Sequence, residues 1–210
     1  MKRFLMIMMG CCFIFLASTI QAQVKVGPVA GLNLSTMTFK STDSEDHYDP
    51  QMLTGFHVGV MAEFSVSESF VIQPALLFSG KGSSYEIDYG EGVYELKIAP
   101  GFIELPIYAA YKFDVGPGKL FLKAGPYFGY GISGKISDGE EEEDIEWGTD
   151  DDSFMKPLDF GVGLGAGFDL NGFLISLQYQ FGLTNLSAYD EVEMKLGVFG
   201  ISLAYLFGGK

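Results

Sequence analysis

The chain has 210 residues, of which 48% are hydrophobic, and its formal net charge at pH 7 is −14. This length suits one domain with a substantial core, and the acidic excess argues against a nucleic-acid-binding protein, which needs basic patches. Beyond residue 22 no uninterrupted apolar run is long enough for a membrane-spanning helix, so the sequence predicts none.

Residues 1–22 have the layout of an export signal. Lys2 and Arg3 give a positive start, an apolar run follows from Phe4 to Ala17, and the segment ends at the small residue Ala22. This order is typical of a secretory signal peptide that is cleaved after Ala22. Lipoprotein processing at the MMGC run is the alternative. Both cysteines lie in this segment, so we expect a mature chain without disulfides.

Segments in which every second residue is apolar recur along the rest of the chain. Because successive side chains leave opposite faces of a strand, this alternation predicts β-strands. Each segment has about ten residues or more, which suits a tilted strand that crosses a bilayer. The eight predicted strands are 24–34, 54–65, 70–82, 101–113, 119–132, 157–169, 173–183 and 195–207.

The connections between the predicted strands alternate between short and long. Three are short: Ser65–Ser69, Asp114–Gly118 and Asn171-Gly172, a dipeptide that favours a type I′ hairpin turn. Four are long and hold 21 of the 27 acidic residues, namely 35–53, 83–100, 133–156 and 184–194. Short turns at one end and long loops at the other predict an outer-membrane barrel with periplasmic turns and extracellular loops.

The third long loop is the most acidic part of the chain. Its run DGEEEEDIEWGTDDD extends from Asp138 to Asp152, and we expect it to be too charged to pack against the barrel. Its carboxylates make it a candidate Ca²⁺ site, because this ion takes oxygen ligands. No spacing in it resembles an EF-hand loop, so a solvated charged tip is the alternative.

The two faces of the predicted strands indicate which side meets lipid. In 157–169 one face carries Leu158, Phe160 and further apolar residues, whereas the other carries Asp159 and four glycines. Glycines suit the inside of a narrow barrel, where long neighbouring side chains need room. The apolar face then points outward, and open sheet edges cannot exist in lipid. Residues 23–210 are therefore predicted to form an all-β, eight-stranded, antiparallel, closed transmembrane barrel.

The inward faces of the predicted strands carry a set of charged and polar residues. An eight-stranded barrel is just wide enough for side chains to fill it, and buried charges must be paired. We interpret the set as a structural network, with a narrow ion or proton path as the alternative. The predicted members are Lys25, His57, Glu63, Lys81, Glu104, Lys112, Lys123 and Asp159.

The chain has two histidines, the residue type that most often acts as a catalytic base. His47 lies in an acidic loop, and His57 lies on the inward face of the second predicted strand. We interpret His47 as solvated and His57 as a member of the inward polar set, with a catalytic pairing of a histidine with a serine or aspartate as the alternative. We therefore expect no enzyme, no cofactor and no catalytic metal.

Two features conflict with uninterrupted strands. Leu196 and Val198 have the wrong parity for the outward series of the last predicted strand, which predicts either a bulge or an outer end that rises above the bilayer. Prolines inside predicted strands each remove a ladder hydrogen bond, and we expect bulges to absorb them. These prolines are Pro28, Pro74, Pro106 and Pro126.

Motifs spread along residues 23–210 are shared with a known family. They are VGPVAGLNLS, GFHVGVMAEF followed by FVIQPALLFSGKGS, FIELPIYAAYKF, and GVGLGAGFDL with LISLQYQFGLTNL. In this combination the chain resembles the PorT-like outer-membrane β-barrel family of Bacteroidota. The resemblance implies the barrel fold and the outer membrane of a Gram-negative bacterium. Because the family's namesake belongs to a protein-secretion system, it also implies secretion-system proteins as candidate partners.

The C-terminal run GISLAYLFGGK resembles the aromatic signal that the barrel-insertion machinery reads, through Leu203, Tyr205 and Phe207. It departs from that signal by ending in Gly-Gly-Lys. Together these features predict a non-enzymatic barrel in outer-membrane lipid, with a filled lumen and a structural or interaction role. A subunit of a protein-secretion assembly and a narrow small-solute channel are the alternatives.

Overall fold

A computed structural model describes residues 24–41, 50–88, 93–139, 141–150, 153–189 and 192–208. The predicted signal peptide, both cysteines and His47 lie outside these residues. Among the described residues, none forms a helix of the length and apolarity that crossing a membrane requires. The strands are β1 Val24–Ser41, β2 Gln51–Ser65, β3 Phe70–Gly80, β4 Ser83–Asp88, β5 Val93–Val115, β6 Gly118–Ser137, β7 Glu142–Asp144, β8 Leu158–Leu170, β9 Phe173–Gly182, β10 Val192–Tyr205 and β11 Phe207–Gly208.

Eight of these strands close into a ring of antiparallel neighbours, in the order β1, β2, β3, β5, β6, β8, β9 and β10. The ring is closed because β1 pairs with both β2 and β10. The predicted eight-stranded closed barrel is therefore confirmed. The remaining strands β4, β7 and β11 extend this ring, and the two ends of the barrel are called here the short-turn end and the long-loop end.

Alternation along β5 separates the lumen from the outer surface. Glu104 and Lys112 are buried inside the ring, whereas Ile103, Leu105 and Tyr111 are exposed on its outside. The same pattern holds along β2, β8 and β9. The outer surface of the ring is therefore an apolar belt, as a strand wall in lipid requires.

The glycines of β8 make room for large inward side chains of β6. A Cβ added at any of three lumen glycines would collide with the side chain that faces it across the strand pair. Those side chains fill the lumen only because glycine stands opposite them. The facing pairs are Gly161 with Tyr127, Gly165 with Lys123, and Gly167 with Phe121.

The expectation that bulges absorb the four strand prolines is wrong. The ladder register runs unchanged past all four, because the lost N–H removes one bond while the neighbouring bonds hold the pairing. The register instead shifts where Gly101 pairs with Ser133 while Phe102 pairs with Gly131, which leaves Ile132 as an extra residue. This bulge lies near the long-loop end of the β5–β6 pair.

The long-loop end contains more regular structure than the sequence indicates. The predicted loop 83–100 instead forms β4 and the first part of β5, which pair as a hairpin. β10 pairs with β1 without any register shift, so the bulge, one of the two explanations offered for Leu196 and Val198, is absent from this pair. Both side chains point inward, because this end of the lumen is apolar.

The expectation that the third long loop is too charged to pack is also wrong for its described residues. Ile145 and Met155 are buried in an apolar cluster at the long-loop end. The acidic residues on either side of them stay exposed, so the segment buries its apolar residues and leaves its charges in solvent. We call this group the cap cluster; its buried members are Met37, Tyr85, Ile98, Phe102, Ile145, Met155, Leu186, Met194 and Leu196.

Candidate functional site

The lumen contains a fully buried ion cluster towards the long-loop end. The Lys81 ammonium lies 2.5 Å from Glu104 Oε2 and 3.3 Å from Asp159 Oδ2. We call these three residues the upper ion cluster. One lysine thus pairs with two carboxylates that are shielded from solvent, and removing this lysine would leave both of them buried without their ion-pair partner.

Aromatic rings enclose the upper ion cluster. The Lys81 ammonium lies 4.6 Å from the centroid of the Tyr127 ring and 5.3 Å from that of Phe102, within the range of cation–π attraction. The Tyr127 hydroxyl also lies 3.4 Å from Asp159 Oδ1. Both rings are fully buried, so they occupy the cross-section through which a solute would have to pass.

A second ion cluster lies towards the short-turn end. The Lys112 ammonium lies 2.7 Å from carboxylate oxygens of both Glu63 and Asp169, and we call these residues the lower ion cluster. Lys25 approaches Glu63 at 3.8 Å, and the Gln73 amide donates a hydrogen bond of 2.9 Å to Glu63. The cluster forms the inner wall of a cavity of about 570 Å³ at this end of the barrel.

Lys123 lies between the two ion clusters and has no carboxylate within ion-pair distance among the described residues. Its ammonium donates to Gln178 Oε1 at 2.8 Å and to Ser176 Oγ at 3.2 Å. Gln180 donates to Glu104 Oε1 at 2.6 Å. With Asp169 included, the lumen holds four lysines and four carboxylates, so the positive charge of Lys123 offsets the second carboxylate of the upper ion cluster.

His57 joins a hydrogen-bonded chain on the β1 side of the lumen. Its Nδ1 lies 2.8 Å from Asn33 Oδ1, and its Nε2 lies 2.8 Å from Ser202 Oγ. This order of hydroxyl, imidazole and amide resembles a nucleophile with its base and orienting group. All three side chains are buried, with at most 4% exposure, so a substrate has no approach to the hydroxyl in this conformation.

Replacement of His57 by alanine should destabilise the barrel by about 1–3 kcal/mol, since Asn33 and Ser202 would each lose a buried partner. The free energy of unfolding in urea, measured on the barrel in lipid vesicles, checks this expectation. Ser202→Ala should cost less, because it removes only the terminal hydroxyl of the chain. A stability unchanged by His57→Ala would contradict a structural role for this imidazole.

The cap cluster closes the long-loop end of the lumen. The indole of Trp147 packs edge-to-face on Phe102, with ring centroids 5.5 Å apart, and it occupies the space that a Cβ at Gly131 would need. Tyr85 donates a hydrogen bond to the Met37 carbonyl, and burial raises the pKa of its hydroxyl to about 12. This end of the lumen is therefore sealed by apolar side chains.

The structure places all eight residues of the predicted network inside the ring. Seven are buried and Lys25, at the short-turn end, is partly exposed. Sequence reasoning missed Asp169, although it shares the inward parity of Asp159 along β8. It also missed Asn33, Gln73 and Ser202. Each of them occupies an inward-facing position of the alternation in β1, β3 or β10, and counting every second residue along these strands would have identified them.

The residues of the predicted insertion signal follow the same parity. Leu203, Tyr205 and Phe207 all lie on the outer surface at the short-turn end. In the described part of the chain, no three His, Cys, Asp or Glu side chains are grouped closely enough to hold a metal ion.

Comparison with known sequences gives one family match. The family described as "Outer membrane protein beta-barrel domain" matches residues 19–188. No curated protein matches the chain in sequence.

Several solved structures are similar to the chain at low sequence identity. The attachment invasion locus protein Ail of Yersinia pestis is 15% identical, with 88% of this chain and 99% of Ail covered and a TM-score of 0.42. Neisserial surface protein A is 13% identical, with 86% and 97% covered and a TM-score of 0.43. The outer membrane protein W of E. coli is 11% identical, with 90% and 100% covered and a TM-score of 0.38.

Proposed function

The chain belongs to the family of outer membrane protein β-barrel domains, and from that premise we propose that it is a non-enzymatic, non-conducting envelope barrel. Its long-loop end faces the outside of the cell and serves as the interaction surface, whereas the short-turn end faces the periplasm. We further propose a Gram-negative source, export by a signal peptide cleaved after Ala22, and barrel insertion guided by Leu203, Tyr205 and Phe207.

One observation carries this proposal: side chains fill the lumen from the upper ion cluster to the long-loop end. The cap cluster occupies the long-loop end, and the upper ion cluster lies beneath it with Tyr127 and Phe102 packed around the Lys81 ammonium. A solute would have to break ion pairs that are costly to separate without water. The best-placed nucleophile, Ser202, is buried in the same lumen, which supports a non-enzymatic role.

Conductance across a planar bilayer tests this proposal. The purified, refolded barrel should give no stable single-channel steps above the leak of the bare membrane, because side chains occupy the pore. Correct insertion must be shown in the same preparation, by the heat-dependent gel shift of a folded barrel. Reproducible steps from folded protein would contradict the proposal and favour the narrow small-solute channel.

A second candidate function is a subunit of a protein-secretion assembly. The observation that favours it is the motif FIELPIYAAYKF, which resembles the PorT-like family and forms the lumen and lipid faces of β5. Native-gel migration of the tagged protein, extracted gently from its own envelope, distinguishes the two functions. A large complex that contains secretion proteins would support the assembly role, whereas migration as a single barrel would argue against it.

A further inference from the structure

A groove lies at the long-loop end beside the short strand β7. It encloses a cavity of about 530 Å³ whose walls are partly apolar and partly acidic. Its apolar side is formed by half-buried and exposed side chains of three different segments, so it is a built concave surface rather than a single loop tip. The residues that the argument uses are Ile136, Glu143, Asp144, Glu146, Phe154 and Tyr189.

Two carboxylates of the groove, those of Glu143 and Glu146, have no ion-pair partner among the described residues, whereas Asp144 lies opposite Lys135 in the β6–β7 ladder. Within the described part of the chain, no lysine lies within ion-pair distance of Glu143 or Glu146, and none lines the cavity. The adjacent Glu142 differs, because a hydrogen bond from the Lys135 ammonium lowers the pKa of its carboxyl group. Glu143 and Glu146 are therefore open to a cation supplied from outside these residues.

β7 presents a free strand edge to the groove. Among the described strands it pairs only with β6, from Lys135 opposite Asp144 to Ser137 opposite Glu142. The Ile145 N–H donates to the Gly134 carbonyl, which sets the phase of the ladder. The backbone N–H and C=O groups of Glu142 and Asp144 then point away from β6, and such an edge can accept an added strand.

The aromatic residues supply the apolar part of the surface. Tyr189 is 51% exposed, and Phe154 is half-buried beside it in the cavity wall. An exposed aromatic ring next to a free edge offers packing area to a side chain of an incoming strand. The groove thus combines backbone hydrogen bonds, negative charge and an apolar wall.

We propose that this groove binds an extended, basic peptide segment of a protein partner. The segment adds as a strand to the edge of β7, places lysine or arginine side chains beside Glu143 and Glu146, and packs an apolar side chain on Phe154 and Tyr189. This inference rests on the proposed function and deepens it, since it names the class of partner that the outward surface takes.

Titration with a short peptide of alternating lysine and valine tests the inference on the full barrel in zwitterionic detergent micelles. Fluorescence of Trp147, the only tryptophan of the chain, reports binding from the same segment. We expect saturable binding that weakens about tenfold in the Glu143→Gln/Glu146→Gln variant, because two charge pairs are lost. The matched control Glu141→Gln/Asp150→Asn removes the same charge from the same segment outside the groove and should bind like the wild type.

Equal weakening in the two double variants would mean diffuse attraction to an acidic loop and would overturn the inference. Equal binding of the same peptide with alternate backbone nitrogens methylated would overturn strand addition. The proposed function is tested separately. A barrel that conducts ions contradicts the proposed function, whether or not the peptide binds. A barrel that does not conduct and does not bind the peptide overturns only this inference.

Discussion

Replacement of Lys81 by methionine should lower the free energy of unfolding by about 3–5 kcal/mol, the range for removing one partner of a buried ion pair. The side chain is fully shielded, and both Glu104 and Asp159 rely on it as their ion-pair partner. Methionine keeps most of the side-chain volume, so the loss comes from charge rather than from a cavity. Urea titration of the barrel in lipid vesicles measures it.

Two further variants separate this effect from a general loss of packing. Adding Asp159→Asn to Lys81→Met should restore most of the stability, because the remaining charge of Glu104 is still offset by that of Lys123 and the lumen again holds equal numbers of positive and negative charges. Lys112→Met should cost less than Lys81→Met, since Glu63 and Asp169 border the cavity at the short-turn end and water can reach them. A double variant Lys81→Met/Asp159→Asn no more stable than Lys81→Met would contradict the electrostatic explanation.

The barrel could be predicted from the sequence because one rule applies to every strand. In β8, large apolar residues alternate with Asp159 and glycines. This alternation can be recognised in the sequence without any knowledge of the tertiary structure. The same parity places Glu104 and Lys112 in the lumen. Which lysine meets which carboxylate was not predictable, because Lys81 and Asp159 are distant in sequence and meet only through the ring order and strand stagger.

The cap cluster could not be predicted, because the acidic composition of the segment around Ile145 predicts exposure whereas some of its residues are buried. The average charge of the run from Asp138 to Asp152 predicts a segment that is fully exposed to solvent. Ile145 nevertheless packs in the cap cluster at the long-loop end, while its acidic neighbours remain exposed. One apolar side chain every few residues is enough to hold a charged segment against the barrel when the barrel presents an apolar surface at that point. That surface comes from Met37, Ile98 and Met194, and no local pattern in the acidic run reveals it.

Replacement of Tyr127 by alanine should lower the free energy of unfolding by about 3–5 kcal/mol, as expected for truncating a buried aromatic side chain. The ring is fully buried, packs on Gly161, and lies beneath the Lys81 ammonium. Glycine on the opposite strand cannot fill the space, so the void persists. Chemical denaturation of the barrel in vesicles measures the loss.

Tyr127→Phe and Phe128→Ala are the matched controls for this prediction. Tyr127→Phe keeps the ring and removes only the long contact to Asp159, so its free energy of unfolding should stay close to that of the wild type. Phe128 is the next residue on β6 but is 48% exposed on the outer face, and its truncation leaves the lumen intact. If Phe128→Ala destabilised the barrel as much as Tyr127→Ala, contacts on the outer face rather than lumen packing would hold the fold. A stability left unchanged by Tyr127→Ala would remove the main structural support for the proposed closed pore, because a lumen that tolerates the loss of this fully buried ring is not tightly filled.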